Sequence, residues 1–202
     1  MIKLKYRSWT EIPLYLGDKL KEIIDSDINQ NEKNLQILAA LCETSVDVIK
    51  NANALEIKSL ISAVNNTDMR GEITAKRVSK KHKTFELNCK VYNVSIEPDQ
   101  MTYSQFVDFQ EYIKEKDKNK AELMSTILIP QGAKYNDGSY SMTDLIEEIY
   151  NFMSVQQFYD FFFTCCIALK VSLKNSLQSL LKMRQTTAQT KKEIKELLKA
   201  MK

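Results

Sequence analysis

The sequence predicts a mainly α fold of the α+β class: two related helical units, a small β-hairpin element between them and a long C-terminal helix. Three observations carry that expectation. Apolar residues recur at helical spacing over most of the chain. One stretch, "EITAKRVSKKHKTFELNCKVYNVSIEP", instead alternates β-branched and aromatic residues with polar ones. Finally, the chain can be laid over itself at an offset of about 89 residues, which reads as an internal repeat, the alternative being a coincidence of amphipathic helices. These divide the 202 residues into an N-terminal helical unit with an edge strand (1–68), a β-hairpin element (69–100), a second helical unit (101–183) and an amphipathic C-terminal helix (184–202).

"IKLKYR" alternates apolar and basic residues with period two and reads as a short edge strand bearing Ile2, Leu4 and Tyr6 on one face. The next pattern reads as a helix capped by Ser8 or Thr10, with Pro13 in its first turn and Leu16, Leu20, Ile23 and Ile24 buried. Leu35, Leu38, Ala39, Leu41 and Cys42 follow at helical spacing, "TSVDVI" starts a further helix, and another runs from about Ala54 to Val64, ended by Asn65 and Asn66. In the β stretch the strands are expected on either side of "SKKHK", with Phe85, Leu87, Cys89, Val91 and Tyr92 in the second, closed by Pro98.

Two helical patterns joined by the solvated charge run "KEKDKNK" come next. The loop "IPQGAKYNDGSYS" then reads as a helix-to-helix joint. In it Pro130 stops one helix, Gly132 takes positive φ, and "NDG" makes a turn before "SMTD" caps the next. No GxxxxGK pattern and no strand feeding the loop favour a phosphate-cradling role. A long helix over residues 155–183 is expected to be buried on several sides at first. The last segment keeps Ile194, Leu197, Leu198 and Met201 on one face and suits docking on another subunit or partner.

At offset 89 the self-alignment puts Ile12 over Met101, Leu14 over Tyr103, Leu20 over Phe109, and Leu38 over Ile127. Beyond the glycine loop the offset becomes 100, with Ile49 over Ile149 and Leu55 over Val155.

Composition narrows the function classes. A net charge of +3 implies no global pull toward nucleic acid or membrane. The most apolar run, residues 158–169, is interrupted by Asp160 and is shorter than the ~20 residues of a membrane span. The N-terminus lacks the apolar core of a secretory signal, so the sequence reads as a soluble protein. Cys42, Cys89, Cys165 and Cys166 have no metal-ligand spacing, and three sit in apolar runs, so they read as reduced structural thiols in a cytosolic setting. His82 is the single histidine, and no nucleophile-elbow, kinase or zincin pattern occurs. Glu147 and Glu148 are helix neighbours of the kind found on a solvated face. No catalytic residue, cofactor or metal is therefore expected, and the chain reads as a non-enzyme.

Two groups of residues remain as contact candidates. Lys76, Arg77, Lys80, Lys81 and Lys83, with His82 among them, form the one distinct basic patch. On a projecting hairpin they would meet DNA phosphates, the alternative being a solvated turn whose lysines guard strand edges. Trp9, Tyr103 and Phe106, with Ile194, Leu197 and Leu198, are candidates for protein contact, against core packing as the commoner fate of any one of them.

"MTYSQFVDFQEYI", "ILIPQGAKYNDGSYSMTDLIEEI" and "FMSVQQFYDFFFTCC" together resemble small proteins encoded in the structural gene region of crAss-like bacteriophages and other phages of gut Bacteroides. "W-EI" followed by "LQILAAL" is also similar to tail-assembly-chaperone-like proteins of such phages. The resemblance implies a multi-copy virion protein acting through contacts with portal, tail or capsid proteins, carried as cargo or as an internal component. It would be found in the host cytoplasm during assembly. A chaperone absent from the finished particle and a DNA-binding phage protein are the alternatives.

Overall fold

The computed structural model describes residues 2–65, 73–78, 83–97, 100–182 and 188–200. The chain is mainly α with one small antiparallel sheet. The expected closing residues Asn66, Pro98, Met183 and Met201 lie outside the described residues.

Residues 2–7 do not form the expected edge strand. Their alternation is nonetheless expressed as burial: Leu4 and Tyr6 are buried, and the Lys5 amide donates to the Leu41 carbonyl at 3.0 Å. The segment thus lies on the end of a helix, where period two sorts faces but no neighbouring strand supplies a ladder.

Helix α1 (Leu14–Asp25) starts later than expected. Pro13 is its N-cap, without a side-chain cap from Ser8 or Thr10. Leu16, Leu20 and Ile23 are buried as expected, whereas Ile24 is 55% exposed because it sits one position round from the buried stripe. Helices α2 (Gln30–Leu41), α3 (Val46–Lys50) and α4 (Ala54–Asn65) follow, α3 being capped by the Ser45 hydroxyl, which accepts from the Val48 amide at 3.3 Å.

The hairpin folds elsewhere than expected. Its strands are β1 (Thr84–Leu87) and β2 (Lys90–Val94), so the run assigned to one strand turns back on itself at Asn88 and Cys89. Both turn residues have positive φ, 49° and 60°, as a two-residue hairpin turn requires. Residues 73–78, expected as the partner strand, are not in the sheet. They run along the long C-terminal helix instead.

Helix α5 (Tyr103–Tyr112) is closed at its start by a capping box between Thr102 and Gln105, and a 3₁₀ turn, Ile113–Glu115, follows. Helix α6 (Lys120–Ser125) is short because the chain then enters β3 (Leu128–Pro130), which pairs with β2. Pro130 therefore closes an edge strand, not a helix, a place that tolerates its missing donor. Helices α7 (Met142–Phe152), α8 (Val155–Lys182) and α9 (Ala188–Ala200) complete the chain.

The main apolar core takes Ile12, Leu14 and Leu20 from the first half and Phe109, Ile149 and Phe158 from the second, with Leu87 and Tyr92 from the sheet. Leu38, Ala39, Ile49 and Leu60 form a smaller cluster. The early part of α8 supplies most of the aromatic packing: Phe161 meets Phe85 edge-on at 5.1 Å and Phe158 stacks on Phe162 at 5.9 Å.

Candidate contact surfaces and a basic cleft

The loop after β3 is a built joint. The Ala133 amide bonds back to the Pro130 carbonyl at 3.0 Å around Gly132, whose φ of 89° suits glycine. Asp137 then gathers the Lys134 amide at 2.9 Å and the Ser139 hydroxyl and amide at 2.5 and 2.9 Å. Those donors, Ser139 first, hold its carboxyl below the usual carboxylate range. The Tyr135 hydroxyl donates to Asp108 on α5 at 2.7 Å, and burial, then Asp108, push the phenol well up. Ser141 caps α7 by accepting from the Asp144 amide at 3.2 Å. Every polar group in this list is spent on closing the joint.

Of the basic patch, Lys80 and Lys81, with His82, lie outside the described residues. Lys76, Arg77 and Lys83 are exposed. The segment carrying the first two is strapped to α8: the Lys76 amide donates to Asp160 at 2.6 Å, the Val78 amide to the Thr164 hydroxyl at 2.8 Å, and Gln156 donates to the Thr74 carbonyl at 3.0 Å. Asp160, which breaks the apolar run in the sequence, is thus an anchor for passing backbone. Arg77 and Lys83 come together on a cleft of about 220 Å³ with an apolar floor that includes Ile96 and Ala168, and with Glu97 on its wall. Two cations against one carboxylate favour an anion there, yet Lys76 does not line it.

The protein-contact candidates separate. Trp9 is half-buried against the core, and its carbonyl accepts from the Gln156 amide at 3.2 Å. Ile194 is buried and Leu198 half-buried on α9, which touches α8, so this helix docks on its own chain, while Leu197 stays 54% exposed. Phe106 is half-buried, and Tyr103 is 85% exposed.

The geometry of the α1–α8 junction gives that exposure a meaning. Residues 12–14 and 153–155 pair as two short extended segments: Leu14 donates to the Met153 carbonyl at 2.9 Å, and Val155 to the Ile12 carbonyl at 2.8 Å. Leu14 and Val155 are buried there, and Gly17 permits the close approach, since a Cβ on it would stand 2.5 Å from the Val155 side chain. Helix α5 begins 89 residues after α1, the first offset of the self-alignment, while α8 begins 101 residues after α4, one more than the offset of 100 beyond the glycine loop. On the offsets of the sequence self-alignment, Leu14, Gly17 and Val155 lie over Tyr103, Phe106 and Leu55. Leu55 is 80% exposed. The pair buried at one junction is exposed at its counterpart.

The cysteines are unbridged. Burial raises the thiols of Cys42, Cys165 and Cys166, Cys165 most of all, while Cys89 is exposed on the hairpin turn. Glu148, read from sequence as part of a solvated face, is instead packed against the sheet and paired with Lys90. Helical periodicity could have placed it beside Leu145, but only the sheet's position shows what it faces. Among the described residues no helix is long and apolar enough to cross a membrane. No family model, curated protein or solved structure matches the chain.

Proposed function

We propose that this chain is a non-enzymatic, multi-copy phage virion protein that works through protein contacts, its own copies included. The observation that carries the reading is the unmatched pair Tyr103 and Leu55, each 80% exposed or more where its repeat counterpart is buried. A second copy offering Leu55 to Tyr103 would cover both exposed side chains between chains, at a wider spacing than the α1–α8 junction because Phe106 stands where Gly17 lets Val155 approach. The phage context rests on the resemblance of the loop, the α5 start and the Phe-rich helix to structural-region proteins of crAss-like phages.

Light scattering on size-fractionated protein tests the contact. Wild type is expected to gain mass with concentration, whereas Tyr103→Ser and Leu55→Ser each stay monomeric. Mixing the two variants leaves one intact junction and should give dimers and nothing longer. Assembly unaffected by both changes would remove the contact. The virion role is read from peptide mass spectrometry of purified particles before and after triggered genome release. Abundant peptides that vanish on release indicate ejected cargo, retained ones a fixed component, and absence from the particle overturns the proposal in favour of a chaperone.

A further inference from the structure

The overall charge of +3 conceals a strong polarity along the chain. Residues 161–202 carry nine Lys and Arg against two Glu, a net of +7, which leaves 20 basic against 24 acidic side chains, a net of −4, on residues 1–160. A basic end on an otherwise acidic chain suits a polyanionic partner. The structure gives that charge a shape. Between residues 170 and 179 every side chain of α8 is exposed except Ser172 and Leu177, which are half-buried, and α9 packs on α8. Lys170 and Lys174, four residues apart, share one face of α8, and the exposed Phe163 lies on that face two turns earlier. Lys192, Lys195 and Lys199 share one face of α9, turned away from the buried Ile194. All five lysines are exposed, and among the described residues none of them is held in an ion pair.

Within each row the lysines are spaced about 4.5–6 Å along the helix axis. A nucleic-acid duplex offers a phosphate about every 3.4 Å of its axis on each strand, so each lysine of a row can meet one. An anionic lipid surface fits less well. A helix that lies in a membrane interface needs its apolar face free, and on α9 that face is spent on its own chain, with Ile194 buried and Leu198 half-buried. The cleft of Arg77 and Lys83 is a separate feature, since it meets α8 at Thr164 and Ala168, on a different side of the helix from Lys170 and Lys174. We propose that the α8–α9 pair is a nucleic-acid docking arm, in which Lys170, Lys174, Lys192, Lys195 and Lys199 grip backbone phosphates without reading sequence.

The test is fluorescence anisotropy of a labelled duplex DNA of arbitrary sequence, titrated with the full chain at several salt concentrations. Wild type should bind, and its affinity should fall about a hundredfold or more between ~50 and ~200 mM salt. Changing all five lysines to Gln, which keeps helix propensity, should lower the slope of log affinity against log salt by about 4, close to one for each lysine. Should that variant not fold, Lys170→Gln with Lys174→Gln is read in the same way, with a slope lower by about 2. Arg77→Gln with Lys83→Gln should leave the slope as it is. Vesicles of phosphatidylserine and a poly-glutamate peptide, each offered to wild type at the same salt, should bind more weakly than the duplex. The proposal is overturned by no binding of the duplex, by a slope that the lysine changes leave intact, by a slope that falls with Arg77 and Lys83 instead, or by tighter binding of the vesicles or the acidic peptide.

Discussion

Glu43 shows how much one residue can fix. It follows α2 with φ of 47°, and its carboxylate accepts from the Lys5 ammonium and the Tyr6 hydroxyl, with the Tyr15 hydroxyl at 3.5 Å. The Lys5 hydrogen bond first, then that of Tyr6, holds the carboxyl below its usual range. A folded value below the unfolded one, about 4.3, means the contribution is present above that pH and lost as pH falls through the folded value. Glu43→Gln should therefore cost about 1 kcal/mol or less near neutral pH, since the group is largely exposed, and progressively less as the pH falls from about 4.3 toward 3. Urea melts at the two pH values check this. The sequence contained the alternation of Leu4 and Tyr6 but no sign of Glu43, because its role depends on a left-handed turn that brings residues 5, 6 and 15 to it.

At the scale of elements, helices were legible and their partners were not. The starts of α5, α7 and α8 follow from Thr102, Ser141 and the apolar run after residue 154, all local signals. The sheet was misread because Asn88 and Cys89 lack the glycine that usually marks a tight hairpin turn, and because β3 is three residues long inside a run that also fits a helix. The strap at residues 73–78 was hidden for another reason: its hydrogen bonds go to side chains of α8, which no periodicity encodes. Thr164→Val should remove the acceptor for the Val78 amide, cost about 1 kcal/mol and speed amide exchange across 73–78, read by hydrogen exchange. At the α1–α8 junction, Gly17→Ala sets a helix-propensity gain of about 1 kcal/mol against overpacking of about 1–3 kcal/mol on Val155. A net loss is expected, and Val155→Ala in the same chain should reverse the overpacking, as thermal melts of the single and double variants would show.

For the whole molecule, the self-alignment of the sequence paired core residues better than it paired surfaces. Ile49 and Ile149 are both almost completely buried, as are Leu38 and Ile127, yet Leu14 and Tyr103 have opposite fates. Self-alignment pairs positions by their pattern alone, and only the assembled fold shows which of the two finds a neighbour. Helix α1 packs on α7 and α8, and the Lys120 ammonium on α6 pairs with Asp18 on α1, so the halves share one main core. Ile149→Ala should then cost about 2–5 kcal/mol. It should also shift the unfolding midpoint seen by Trp9 fluorescence as much as that seen by circular dichroism, whereas a Trp9 midpoint left in place would mean that the halves unfold separately. The same docking sets an order of events at the ribosome. The apolar face of α1 is made early, and the helices that cover it come more than a hundred residues later, a wait of roughly ten seconds at ordinary elongation rates. During that interval α1 has α2 to pack on but neither α7 nor α8, so part of its apolar face stays uncovered and the nascent first half suits a chaperone that holds apolar helices until synthesis reaches α8.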